Sequence, residues 1–429
     1  MKKVLIITYY WPPSGGPGVQ RTLKFVKYFS QFGFKCDVIT VDPHRASYSI
    51  KDFSLINEIP ENVNIYTTNT REPIAFYVKL TKNKEIPYPG FANESNPGFF
   101  QKMARFIRGN IFVPDARKGW NKYVYRQAKE LIKENTYQSF IISSPPHSTQ
   151  LIGLKLKKEF NIRWIADMRD PWTDISYYKE MFHLPFIRKK DKNYEKSVLE
   201  NADNIIVVSD EIKKIFIKKS KLIDPNKIHV IPNGYDEEDF NIPSAPSSEN
   251  FIVTYTGTIA DNYNINIFFK ALTKIKNQFS EIPILIKFVG KTTPAIISQI
   301  AENKLESITE FISHVSHRES IKFIMNSTVL FLAIPDVENN EGILTGKLFE
   351  YLASRKPIIN IGPVNGNAAE IIKECDAGKT FDYSDSVGLY EYILELVSQW
   401  KSNKNIDLTG NEFKKYSRKE LTHQLSDLL

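Results

Sequence analysis

Residues 3–41 read KVLIITYYWPPSGGPGVQRTLKFVKYFSQFGFKCDVITV, and the order of patterns in them decides the fold. KVLIIT (3–8) and CDVITV (36–41) are short apolar runs of the kind that form buried strands. Between them Val19, Leu23, Val26 and Phe29 recur near the helical period, and Gly33 follows as a residue that can end a helix. Strand, helix and strand in that order make a βαβ unit, whose strands run parallel.

The same alternation continues downstream. FIISS (140–144), WIADM (164–168), NIIVVS (204–209) and HVIPN (229–233) complete a first set of strands. Residues 236–250, DEEDFNIPSAPSSEN, are acidic, then rich in Pro and Ser, and lack periodicity, as an interdomain linker does. A second series follows: FIVTYTG (251–257), ILIKFVG (284–290), EFISHV (310–315), VLFLAIP (329–335) and PIINIGP (357–363), with helical patterns between them. The expected class is therefore α/β, with two doubly wound Rossmann-like domains facing each other across a cleft at the carboxyl ends of their strands. The expected boundaries are 1–235 for the first domain, 251–405 for the second, and 406–429 for a last helix packing back on the first. Residues 71–119, dense in aromatic and basic side chains, break the alternation and read as an insertion. Within them FFQKMARFIRGNIF is expected to form an amphipathic helix, facing either its own domain or a membrane surface or acceptor.

A length of 429 residues suits two or three domains, and 42% hydrophobic with 25% charged residues excludes disordered, collagen-like and coiled-coil chains. The net charge of +8 suits an anionic ligand or membrane surface. Its bases are interspersed with acids along the chain, which argues against a nucleic-acid binder. Cys36 and Cys375 are too few for a disulfide framework or a metal cluster, and point to the cytoplasm. No apolar stretch is long enough to cross a bilayer, so any membrane contact is expected to be peripheral.

Several residues at strand ends could carry chemistry. Gly15, Gly16 and Gly18 lie between the first strand and its helix, where backbone amides can face an anion, although the loop has neither a dinucleotide nor a P-loop spacing. Arg21, just inside that helix, could anchor an anion or acceptor, or be a plain solvated base. ADMRDPWTD (166–174) brings Asp167, Arg169, Asp170 and Asp174 to one strand end; Arg169 offsets the acids and no His or Cys joins them, so hydrogen bonding to a hydroxyl is favoured over a metal. His147 follows FIISS and could exchange a proton near neutrality or serve the structure. In the second half, Gly257 and Thr258 follow one strand, and Gly290 and Lys291 the next. In EGILTGKLFEYLASRKPIIN (341–360), Gly346 opens a helix with Lys347 on its first turn and Glu350 three residues on. A lysine at a helix N-terminus suits a diphosphate, and a carboxylate one turn deeper suits ribose hydroxyls; a Lys347–Glu350 surface ion pair is the plain alternative.

YYWPPSGGPGVQR, ADMRDPW, KIHVIPNGYD, YTGTIA and GKLFEYLASRKPI, spread over nearly the whole chain, together resemble the GT-B glycosyltransferases, specifically the retaining family-four group (glycosyl transferases group 1). The resemblance implies a nucleotide-diphosphate sugar donor held mainly by the second domain and a glycan or lipid-linked acceptor held mainly by the first. It also implies no essential metal and no cofactor. By it, Glu350 is the second acid of a Glu-x7-Glu pattern and holds the ribose, Lys347 meets the diphosphate, and Gly16 approaches the phosphates from the other side. Val315, in HVSHRES, borders the base. Glu341 stands nine residues before Glu350, so its match as the first, sugar-binding acid needs a one-residue shift. His147 or Asp170 takes the polar position near the transferred sugar, with Arg21 and Arg169 toward the acceptor. TGTIADN lacks the bases that often follow the second domain's first strand, which leaves the phosphate charge to Lys347 with Lys291 as a helper. A sugar-nucleotide epimerase or hydrolase using the same donor site is the alternative; a dinucleotide oxidoreductase lacks its fingerprint here.

Overall fold

The computed structural model describes residues 1–72, 99–243, 249–313, 315–403 and 405–429. Residues 73–98 of the expected insertion, 244–248 of the expected linker and His314 lie outside the described residues. The chain divides into two compact units, Met1–Pro232 with Arg418–Leu429, and Asn233–Ser417.

The first unit is built on seven parallel strands: β1 (Lys2–Ile7), β2 (Phe34–Val41), β3 (Asn64–Thr68), β4 (Ser139–Ser144), β5 (Arg163–Met168), β6 (Asn204–Val207) and β7 (Ile228–Val230). Their order is β3-β2-β1-β4-β5-β6-β7, so the winding reverses between β1 and β4. Because helices cover both faces, the central strands are apolar on both sides. Leu5 and Ile7 join Val124, Ile152 and Leu156 in one cluster, while Val4 and Ile6 join Leu23, Val26 and Phe29 in another. The helix Arg418–Ser426 packs on the helix Pro17–Phe29 and adds Leu421 and Leu425 to the second cluster. Gln138 Nε2 donates to the carbonyl of Leu429 at 3.1 Å.

The second unit has six parallel strands: β8 (Phe251–Thr256), β9 (Ile284–Val289), β10 (Thr309–Ile312), β11 (Val329–Ala333), β12 (Ile358–Ile361) and β13 (Gly378–Phe381). Their order is β10-β9-β8-β11-β12-β13, which places the reversal between β8 and β11. Phe251, Val253 and Tyr255 pack with the helices Asn266–Gln278 and Ser386–Asn403 on one face. Leu330 and Leu332 pack with Leu348, Phe349 and Leu352 of the helix Gly346–Ser354 on the other. The acidic start of the expected linker is a short 3-10 turn, Glu237–Phe240, packed within this unit. Phe240 lies against Tyr235, which carries the unit's boundary back to Asn233.

Candidate functional site

In open α/β sheets, loops beyond the carboxyl ends of the strands at a reversal of strand order line the ligand crevice. In the second unit that place is held by the loop after β8 and the segment between β11 and the helix Gly346–Ser354. Gly257 has φ 93°, a conformation that favours glycine, and a Cβ there would sit 3.5 Å from both Cε and Nζ of Lys347. Gly290, after β9, has φ 129°, and a Cβ there would come within 2.4 Å of the Gly257 carbonyl oxygen. Gly290 is thus required for the close approach of the two loops, and Lys347 lies beside Gly257.

The Lys347 amine donates a hydrogen bond to Tyr255 Oη at 2.6 Å and lies 4.2 Å from the centre of the same ring. Tyr255 Oη in turn donates to the Thr258 carbonyl at 2.8 Å. Hydroxyl orientation is thereby fixed, with a lone pair toward the amine. Burial lowers the pKa of Lys347 to about 8, with the charge of Glu350 opposing. The ammonium is therefore held, incompletely compensated, beside the opening of a helix whose N-cap, Thr345, makes no side-chain cap bond. A second anion in this position would be attracted by both charge and helix end.

Glu350 Oε1 lies 3.8 Å from His317 Nδ1, and His317 Nε2 lies 3.1 Å from Asp239 Oδ2. The imidazole thus stands between two carboxylates on different elements. Val315 is partly buried just before the capping box of the helix His317–Met325, formed by Ser316 and Glu319. Glu341 is exposed in the 3-10 turn Asn340–Gly342, and Lys291 is exposed after β9, its carbonyl accepting from the Ile259 amide at 2.9 Å. The structure therefore brings Thr258 and Lys347 to Tyr255, sets Gly257 beside Lys347 and Gly290 beside Gly257, and gives Glu350 a separate partner in His317.

In the first unit, Gly16 has φ 98° at the start of the helix Pro17–Phe29, with open space where a side chain would be. A Cβ on Gly18 would land 2.0 Å from Arg169 Nη1, so that guanidinium lies across the helix start. Arg169 also donates to the carbonyls of Ser144 (3.0 Å) and Pro145 (3.2 Å). His147 stacks on Trp172 with 5.1 Å between centroids, and its buried Nδ1 has no hydrogen-bond partner among the described residues. Burial, helped by Arg169, lowers its pKa to about 3, so the ring is neutral at physiological pH. Burial raises the pKa of Asp170, against the pull of Arg169.

Arg21 departs from its expected ligand-facing place. It is 1% exposed, and its guanidinium is taken up by Asp167 at 2.9 Å and the Pro232 carbonyl at 2.6 Å. It ties the first helix to β5 and to the end of the unit. Asp174 pairs instead with Lys219, so the acids of ADMRDPWTD go to different partners.

Glycosyltransferase Family 4 is the family whose pattern matches residues 15–239, just over half of the chain. The chain belongs to glycosyltransferase family 4. Residues 236–413 of this glycosyltransferase match the family described as Glycosyl transferases group 1. Solved structures share its architecture end to end. Sucrose-phosphate synthase from Thermosynechococcus elongatus is 13% identical with a TM-score of 0.62, covering 100% of this chain and 98% of that one. HepE from Anabaena in complex with UDP-glucose is 12% identical with a TM-score of 0.59, covering 100% and 99%. A TarM variant from S. aureus, in complex with fondaparinux, alpha-GlcNAc-glycerol and UDP, is 11% identical with a TM-score of 0.59, covering 100% and 99%. At such identities the likeness is one of fold, the GT-B fold. A search of curated proteins finds no match by sequence.

Tyr255, His317 and Asp239 contact the candidate residues Lys347 and Glu350 directly or through one another, and the sequence alone did not point to them. Tyr255 had a signal: it stands two residues before Gly257 at the end of one strand, hence on the same face. The His317 contact joins segments far apart in the chain and left no local mark.

Proposed function

We propose that the enzyme moves a sugar from a nucleoside diphosphate sugar to a hydroxyl of a glycan or lipid-linked acceptor, with retention and without a metal, at the cytoplasmic face of a membrane. The observation that carries this reading is the seat of Lys347: an inward ammonium beside a glycine-lined loop and a helix N-terminus. The UDP-glucose bound by the structurally similar HepE supports a donor of that class.

In the reaction, the bond from the anomeric carbon to the diphosphate oxygen breaks, and its electron pair stays on the diphosphate. The acceptor oxygen bonds to the same face of that carbon, and its proton passes to the departing phosphate. Negative charge grows on the diphosphate as the sugar becomes oxocarbenium-like, so fixed positive charge at that place lowers the barrier. Lys347 and the amides from Gly346 onward supply it, with Lys291, Gly257, Thr258 and Gly290 lining the phosphates. Glu350 accepts from the ribose hydroxyls, Val315 borders the base, and Glu341 holds the donor sugar. His147, neutral, and Asp170 take the polar positions near the transferred sugar, and Arg169 faces the acceptor.

Thermal unfolding with a panel of nucleoside diphosphates tests the donor class, because a ligand that binds only the native state raises the midpoint. One base should give a clear shift that Lys347→Ala removes. No shift with any of them, or a shift that survives in the variant, refutes the assignment. Release of nucleoside diphosphate only in the presence of an acceptor glycan separates transfer from hydrolysis or epimerisation.

A further inference from the structure

The Glu350 carboxylate does not set its own direction. It stands on the helix Gly346–Ser354, three residues after Lys347, with its side chain 19% exposed. Its Oε1 faces His317 Nδ1 at 3.8 Å, an ion-pair distance too long for a hydrogen bond, while the other ring nitrogen, Nε2, is hydrogen-bonded to Asp239 Oδ2 at 3.1 Å. The three residues come from three elements, the helix Gly346–Ser354, the helix His317–Met325 and the 3-10 turn Glu237–Phe240, each packed on the other two.

Both supports of the imidazole are firmly built. Ser316 and Glu319 close a capping box at the start of the His317 helix, so the acid of that helix, Glu319, is engaged by the Ser316 amide and hydroxyl at 3.1 and 2.9 Å. On the other side, Asp236 caps the 3-10 turn by accepting from the Glu238 amide at 3.2 Å, and the Asp239 amide donates to the Asp236 carbonyl at 3.2 Å. Phe240 fixes the turn against the cluster that holds Leu348, Phe349 and Leu352, on the same helix as Glu350. A histidine at the first position of a helix gains nothing from the helix dipole, which repels its cationic form. Its two carboxylate neighbours account for the place instead. A neutral imidazole donates from one nitrogen only, so donation to Asp239 through Nε2 leaves Nδ1 an acceptor facing another acceptor. With hydrogen on both nitrogens the approach to Glu350 is attractive, and the ring holds that carboxylate while Asp239 holds the ring.

We propose that His317, braced by Asp239, is a positioning residue for Glu350. It fixes the carboxylate where it accepts from the ribose hydroxyls of the donor, and so makes the enzyme select ribonucleoside over 2′-deoxyribonucleoside diphosphates. This rests on the reading of Glu350 as the ribose acceptor. Isothermal titration of the full chain with UDP, ADP, GDP and CDP, each beside its 2′-deoxy counterpart, tests it. At least one ribonucleotide should bind about ten- to a hundredfold more tightly than its deoxy form, as expected for a hydrogen bond to a charged group. Glu350→Ala should remove that preference. His317→Ala and Asp239→Asn should each lower it about three- to tenfold, by weakening the ribonucleotide and leaving the deoxy form bound as before. His317→Gln can still donate to Asp239 but turns no ring nitrogen toward Glu350, so it should keep the thermal midpoint and lose the preference as His317→Ala does. Should His317→Ala fail to fold, Asp239→Asn, which exchanges a single heavy atom, decides. Equal binding of ribo and deoxy forms, no binding of any, or a preference that survives Glu350→Ala overturns the reading of Glu350 and the inference with it. A preference lost in Glu350→Ala but intact in both His317→Ala and Asp239→Asn, or restored by His317→Gln, overturns the inference alone.

Discussion

Lys347 is held by one residue in two ways, the Tyr255 phenol oxygen accepting its hydrogen bond and the Tyr255 ring lying beneath it, with Gly257 alongside. Lys347→Ala should cut turnover by about a hundred- to a thousandfold, the usual cost of losing one donor to a developing anion, with the fold intact by circular dichroism. Tyr255→Phe keeps the ring and loses the hydroxyl, so it should raise KM for the donor more than it lowers kcat. The pH dependence has a definite sign. The amine must be charged to meet phosphate, and its pKa is lowered from 10.5 to about 8 by burial. Thus kcat/KM should fall as pH rises through about 8, and Lys347→Arg, which stays charged, should lose that descending limb. Stability runs the other way: between about 8 and 10.5 the unfolded chain binds the proton that the native amine has lost, so Lys347 contributes a rise in stability with pH there. The position of Lys347 was legible because helix starts and glycines leave a local signature. Its partner Tyr255 was hidden inside a strand read only as apolar.

At the scale of elements, the buried strands were legible from their runs of Val, Ile and Phe, and the helices from period and terminal glycines. Two edge strands were not. β3, NIYTT, is largely exposed and polar, and β13, GKTF, is short and begins with glycine, so neither has the apolar run that marks a central strand. The role of Arg21 was misread for a related reason. Its partner Asp167 is 146 residues away, and no spacing along the first helix reports it. The pair joins that helix to β5, and Arg21→Ala would leave a buried carboxylate without its charge partner, at a cost of about 3 to 5 kcal/mol. Urea unfolding should show the loss as a lower midpoint at constant m-value. His147, next to the same strand ends, has its pKa lowered to about 3. Its ring carbon and nitrogen resonances should therefore stay flat from pH 8 to 5. Since the unfolded chain takes up that proton near 6.5 and the native chain does not, His147 also lowers stability as pH falls from 6.5 toward 3.

At the scale of the molecule, the first unit is assembled from two pieces of chain that enclose the whole of the second in sequence. The outgoing and returning segments run side by side at the boundary, with the Tyr235 amide donating to the Tyr416 carbonyl at 3.1 Å. Leu421, Leu425 and Leu429 are all buried in the first unit, and each such leucine contributes about 1.5 to 3 kcal/mol by burial. Removing residues 418–429 should thus destabilise the first unit by several kcal/mol and lower its unfolding midpoint, while residues 233–417 keep theirs in calorimetry. The same enclosure sets an order of events during synthesis. Residues 233–417 form one continuous stretch that needs no later segment, whereas the earlier-made strands β1 to β7 wait for a segment translated after all of them. The nascent first unit must spend that interval with the groove for its last helix unfilled, and a chaperone that covers Val19, Leu23 and Val26 would have its moment of use then.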